Sequence, residues 1–200
     1  MFQRLASTLG VCLLAAGCTP GAQAGPVPGA RAEAAFPAPE FTGIDHWINS
    51  KPLRMEALRG KVVLVEFWTY SCINCIHVMP YVKQWYESYQ GNGLVVVGVH
   101  TPEYGYERNT KNVEAAVKRF GIKYPVAQDN RYKTWNAYGN RYWPALYLID
   151  RNGRVVYQHF GEGDYARTEA LIRKLLAGGA SAPRTSDTAQ GATDARSAPK

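Results

Sequence analysis

The chain has 200 residues, of which 46% are hydrophobic, 12% aromatic and 20% charged. That allows one domain of ordinary size with tails, and it excludes wholesale disorder, collagen-like repeats and a multi-span membrane protein. The formal charge of +7 is spread without a basic run, which speaks against nucleic acid as a partner and fits the neighbourhood of an anionic membrane surface.

Met1 to Gly17 carries one charge, Arg4, ahead of an apolar stretch too short to span a bilayer, the pattern of a secretory signal. Two cleavage readings are open. Ala22-Gln23-Ala24 before Gly25 suits soluble export. Ala15-Ala16-Gly17-Cys18 resembles a lipobox, which would make Cys18 a lipidation site and tether the chain to a membrane, although Ala15 stands where that pattern carries Leu, Val or Ile. Residues 1–24 are therefore expected to be a signal peptide and the start of a linker, and residues 25–40 a Pro-, Ala- and Gly-rich linker. Residues 41–178 would be the domain. Residues 179–200 hold no Val, Ile, Leu, Met, Phe, Trp, Tyr or Cys and are expected to be a disordered tail.

Within the domain, Lys61 to Trp68 is a continuous apolar run after Gly60, as expected of a strand covered on both faces, with one carboxylate inside it, Glu66. From Cys72 the pattern turns helical, with Ile73, Ile76, Pro80, Trp85 and Tyr89 as apolar positions, a kink expected at Pro80 and a stop at Gly91. Leu94 to Val99 reads as a second buried strand, and Val113, Ala116, Val117 and Phe120 as the stripe of an amphipathic helix ending at Gly121. Tyr124 to Ala127 reads as a short strand and Asp129 to Tyr138 as a short helix. Ala145 to Ile149 and Arg154 to Phe160 form a hairpin about Asn152-Gly153, for which a type I′ turn is expected. A last helix follows an Asp164 cap and runs to about Ala177, with Ala170, Leu171 and Leu175 facing inward. This order predicts an α/β fold, a mixed central β-sheet flanked by helices on both faces.

The chemistry concentrates in Cys72-Ile73-Asn74-Cys75. A thiol at the start of a helix meets unpaired N–H groups and the positive end of the dipole, so Cys72 is the expected nucleophile. Cys75, one turn on, can resolve a mixed disulfide by closing the internal bond. A structural disulfide is the plain alternative, but so small a loop restricts the unfolded chain little. A zinc site lacks a second ligand pair, and haem attachment fails because position 76 is Ile. Copper(I), held by the Cys pair with His77, Met79 or a distant His such as His100, stays open as a metallochaperone reading.

Glu66-Phe67-Trp68 before the Cys-x-x-Cys, Pro80 after it, and Trp143-Pro144-Ala145 leading into a strand together resemble the thioredoxin superfamily. Leu58-Arg59-Gly60-Lys61 running into that strand looks like the exported TlpA-type branch. Phe67 to Ile76, with Gly98-Val99-His100-Thr101-Pro102-Glu103, looks most like the thioredoxin-like domain of DipZ proteins. The resemblance implies a thioredoxin fold and a cis peptide before Pro144, whose backbone would pair with an extended substrate segment. It implies that Glu66 is buried beneath Cys75 with a raised pKa and exchanges a proton with the resolving thiol, the alternative being an exposed edge-strand glutamate. Trp68, Trp143 and Pro144 are then the expected substrate-facing residues, although Trp68 could equally be a core aromatic.

His77 reads more simply as a helix-face residue, His100, Tyr104 and Tyr106 as aromatic packing after the second strand, and Glu162-Gly163-Asp164 as turn and cap chemistry. Thr69-Tyr70-Ser71-Cys72 matches part of a peroxiredoxin signature, but Val65 stands where that signature carries Pro. The expected protein is an exported thiol-disulfide oxidoreductase, more reductant than oxidant, cycling Cys72 and Cys75 without a metal or organic cofactor. Its partners would be protein thiols or disulfides of the cell envelope, apocytochrome c among them. With no spans after its leader, it would draw electrons from a separate membrane carrier of the CcdA/DsbD type.

Overall fold

The structure is a computed structural model that describes residues 35–178, so the signal segment, Cys18, most of the linker and the tail over 179–200 lie outside the described residues. Seven strands form one mixed sheet: β1 (Phe36–Pro37), β2 (His46–Ile48), β3 (Val62–Trp68), β4 (Leu94–His100), β5 (Val126–Gln128), β6 (Ala145–Ile149) and β7 (Arg154–Phe160). Their order across the sheet is β1-β7-β6-β3-β4-β5-β2. β3, β4 and β5 run parallel, while β6, β7, β1 and β2 pair antiparallel with their neighbours. The α/β fold with a mixed central sheet expected from the element order is therefore present, in the arrangement that the thioredoxin resemblance implies.

Side chains of a strand alternate between faces, and β3, buried at every position, sorts its own residues accordingly. Val62, Leu64 and Trp68 join one core with α1 (Ile73–Tyr89), α2 (Thr110–Phe120) and α4 (Tyr165–Ala177). Val63, Val65 and Phe67 join the other, with Trp135 of α3 (Lys133–Ala137), Tyr138, and Phe36, Phe41, Trp47 and Met55 of the N-terminal segment. Glu66 shares the parity of Leu64 and Trp68 and so faces α1. The structured chain begins before the expected boundary at Phe41, because β1 pairs with β7 and Phe36 packs into the second core.

Several local expectations are corrected. The buried face of α1 is Cys75, Val78, Met79, Val82 and Trp85, whereas Ile73 is 60% exposed and Pro80 is also outside. α4 turns Thr168 and Ile172 inward with Leu171 and Leu175 at the margin, and Ala170 is exposed. Asp164 stands at the start of α4 in the left-handed region (φ 51°) and makes no side-chain cap bond. In the β6–β7 hairpin only Gly153 has positive φ (69°), Gly153 N–H donates to the Asp150 carbonyl at 2.9 Å, and Asp150 N–H to the Arg154 carbonyl. That is the three-residue type I turn with a bulge glycine rather than a type I′ turn. α3 is shorter than expected, and its first N–H groups are satisfied from upstream: the buried Asp129 carboxylate accepts from Lys133 N and Trp135 N at 2.9 and 2.8 Å.

Candidate active site

Cys72 is the N-cap residue of α1, at the carboxyl end of the parallel strand β3, which is how the fold delivers a thiol to unpaired helical N–H groups. Its Sγ accepts a hydrogen bond from Cys75 N–H at 3.3 Å. The Cys75 thiol beside it, its own burial and the backbone N–H groups of Cys75 and Asn74 act together, and the net effect holds the Cys72 thiol down at about 7. Cys75 is fully buried, and that desolvation, with the proton it shares toward Cys72, pushes its own thiol well above the usual range. Both cysteines are unbridged.

Beneath the pair lies Glu66, with no exposed surface. Burial raises its carboxyl from 4.5 to about 7 despite the hydrogen bond that Tyr124 Oη donates to Oε2 at 2.9 Å. Oε1 has no partner among the described residues, and its charge acts on Cys75. The edge-strand alternative is thus excluded. Trp143-Pro144 is a cis peptide, Pro144 is buried, and the Trp143 indole N–H donates to the Thr101 carbonyl at 3.0 Å. Trp143 and Cys72 both pack against the core that contains Cys75 and Trp68. Trp68 itself is completely buried, edge-on to His100 at 5.2 Å, so it supports the site from within and cannot face a substrate.

The turn that enters Cys72 is held by residues that the sequence reading passed over. Glu107 is fully buried in a short 3-10 turn, Gly105–Arg108, and accepts from Ser71 Oγ at 2.5 Å, Ser71 N at 3.4 Å, Glu103 N at 2.6 Å and Tyr104 N at 2.9 Å. Burial opposes its charge, but those donors outweigh it and keep the carboxyl below the usual range. A Glu three places after the residue that opens a helical turn is a capping-box signal, and that spacing could have found it. His100 is buried with Nε2 3.3 Å from Thr69 Oγ1 and its ring stacked 5.6 Å from Tyr70; burial depresses it to about 4, so it is neutral. The Thr69 hydroxyl is therefore spent on His100, beneath the surface, which removes the geometric basis of the peroxidase reading.

His77 is an exposed helix-face residue whose Nδ1 lies 3.1 Å from Glu162. Among the described residues no three His, Cys, Asp or Glu side chains gather where a metal ion could be held. Met79 and His100 are both buried.

The family model described as Redoxin matches residues 33–174. The chain belongs to this family. It is 52% identical over 150 residues to Protein DipZ of Mycobacterium tuberculosis, a match covering 74% of this chain and 22% of that one, so the chain spans about a fifth of that relative's length. It is 31% identical over 138 residues to the thiol-disulfide oxidoreductase ResA of Bacillus thuringiensis, covering 69% of this chain and 76% of ResA. Among solved structures, a thioredoxin-like protein in its oxidized form superposes with a TM-score of 0.66 at 30% identity, covering 72% of this chain and 97% of that one. A thiol-disulfide isomerase from Corynebacterium glutamicum superposes with a TM-score of 0.63 at 28% identity, covering 70% and 97%. These matches bear out the thioredoxin-superfamily, TlpA-like resemblance drawn from the motifs.

Proposed function

We propose that this Redoxin-family enzyme is an exported thiol-disulfide oxidoreductase that reduces protein disulfides in the cell envelope through a Cys72/Cys75 cycle. The observation that carries the reading is the asymmetry of the pair: an accessible thiol held near 7 at a helix start, and a buried partner thiol pushed high over a carboxyl that titrates near neutrality. The Cys72 thiolate attacks one sulfur of a substrate disulfide, forming a mixed disulfide and releasing the other sulfur as a thiolate. Cys75 then gives its proton to ionised Glu66 and attacks the Cys72 sulfur, closing the internal disulfide and releasing the second substrate thiolate. Two electrons pass to the substrate, and a membrane carrier of the CcdA/DsbD type returns them. Trp143 and Pro144 present the main chain that positions the substrate segment, and the relative named as the thiol-disulfide oxidoreductase ResA supports the dithiol chemistry. Lipidation at Cys18, the alternative to soluble export, would hold the enzyme beside that carrier.

The test is a redox titration of the chain in glutathione buffers with thiol counting. A potential near about −270 mV supports the reductant, and one near about −120 mV would make it an oxidant instead. Cys72→Ser should abolish disulfide reduction, and Cys75→Ser should accumulate mixed disulfides with substrate. Normal turnover in either variant would refute the cycle.

A further inference from the structure

Tyr104 and Tyr106, read from the sequence as aromatic packing, pack on each other, ring centroids 5.6 Å apart and planes within 4°, while remaining 51% and 57% exposed. This ledge is fixed to the turn that carries the nucleophile. Tyr106 Oη donates to Ser71 Oγ at 3.2 Å, and Tyr70 Oη donates to the Tyr106 carbonyl at 3.2 Å. Glu107 clamps the backbone of Glu103 and Tyr104 from below, so the rings are ordered before any partner arrives. Glu103 lies on the surface at the same corner, and its carboxylate reaches the Tyr104 hydroxyl. It takes part in none of the ion pairs among the described residues, and its charge is felt at Cys72.

Two half-exposed aromatic rings and a surface carboxylate that joins no ion pair among the described residues, beside a nucleophile, are complementary to a cation on a partner, because the ring quadrupole and the carboxylate attract it together. We propose that Glu103, Tyr104 and Tyr106 form a specificity subsite for a lysine or arginine side chain that flanks the reactive disulfide of a polypeptide substrate. The inference deepens the oxidoreductase reading and rests on Cys72 as the attacking thiol. It assigns the choice of substrate to the 103–106 loop, while the thiol chemistry stays with the Cys pair.

The experiment uses the reduced full chain and three peptides, each closed by one disulfide and differing only in a Lys, Glu or Leu beside the first cysteine. The expected kcat/KM ratio of the Lys peptide over the Glu peptide is roughly three- to tenfold at low ionic strength, falling toward one in 1 M salt. Glu103→Gln, and separately the Tyr104→Leu/Tyr106→Leu pair, should each compress that ratio. Equal rates for the Lys and Glu peptides, preference for the Leu peptide, or a ratio untouched by both variants would overturn the subsite. Failure of the unsubstituted chain to reduce any of the three peptides would instead overturn the oxidoreductase reading, and the subsite with it.

Discussion

Cys72 and Cys75 are the same residue in opposite settings, one capping a helix at the surface and one sealed within the core. Because the Cys75 thiol is the largest influence holding Cys72 down, Cys75→Ala should move the Cys72 titration upward from about 7. Alkylation rate against pH reads this directly, and an unmoved midpoint would show that the helix start alone sets the thiolate. Cys72 and Cys75 were legible from their spacing at a strand-to-helix junction, while Glu66 and Pro144 were singled out through the family resemblance. Glu107 was not. Its spacing signals only the cap of the Gly105–Arg108 turn; its hold on the active site depends on a loop folding back over Ser71, 36 residues upstream, and no local pattern reports that contact. Trp68 was legible as an aromatic beside the turn, but which way it faces was settled by the sheet.

At the scale of elements, the apolar run of β3 announced a strand buried on both faces, and its alternation carries Glu66 to the α1 side. The face of α1 was misread because Ile73, an apolar residue, stands exposed at the helix start beside Cys72, where composition and burial part company. The turn type and the Asp164 cap failed for a related reason: Asn-Gly and a leading Asp each permit more than one backbone solution. β4 offers a test of how tightly the strands support the site. A methyl at Gly98 would come within 3.0 Å of both Trp68 Nε1 and the Tyr124 ring, the ring whose hydroxyl holds Glu66. Gly98→Ala should therefore cost about 1–3 kcal/mol in chemical denaturation, with slower reoxidation of the Cys pair as Tyr124 shifts. Unchanged stability would mean that the two rings give way freely.

The whole molecule contains two buried groups that pull its stability in opposite directions with pH. Glu66, raised from 4.5 to about 7, keeps a proton in the folded state that the unfolded chain loses, so its effect lowers stability by about 3 kcal/mol as pH rises through that window. His100, depressed from 6.5 to about 4, stays neutral when folded, so the stability it allows above 6.5 falls by about 3 kcal/mol as pH drops toward 4. Over the shared range the two slopes offset. Glu66→Gln should uncover the histidine slope, giving stability that climbs between pH 4 and 6.5 and exceeds that of the unsubstituted chain above pH 7. Parallel pH profiles for the two proteins would show that the carboxyl is not raised. The N-terminal segment has a different consequence for the molecule as a whole. β1 lies on one margin of the sheet, where its two residues pair with Val155 and Arg154 of β7, and β2 lies on the other, where its three residues pair with β5. A chain begun at Phe41 would keep every thiol and carboxyl of the site while lengthening the unpaired edge of β7 by Arg154 and Val155, a place where a second molecule could add a strand. The short first strand thereby narrows the edge that the sheet offers to its own copies.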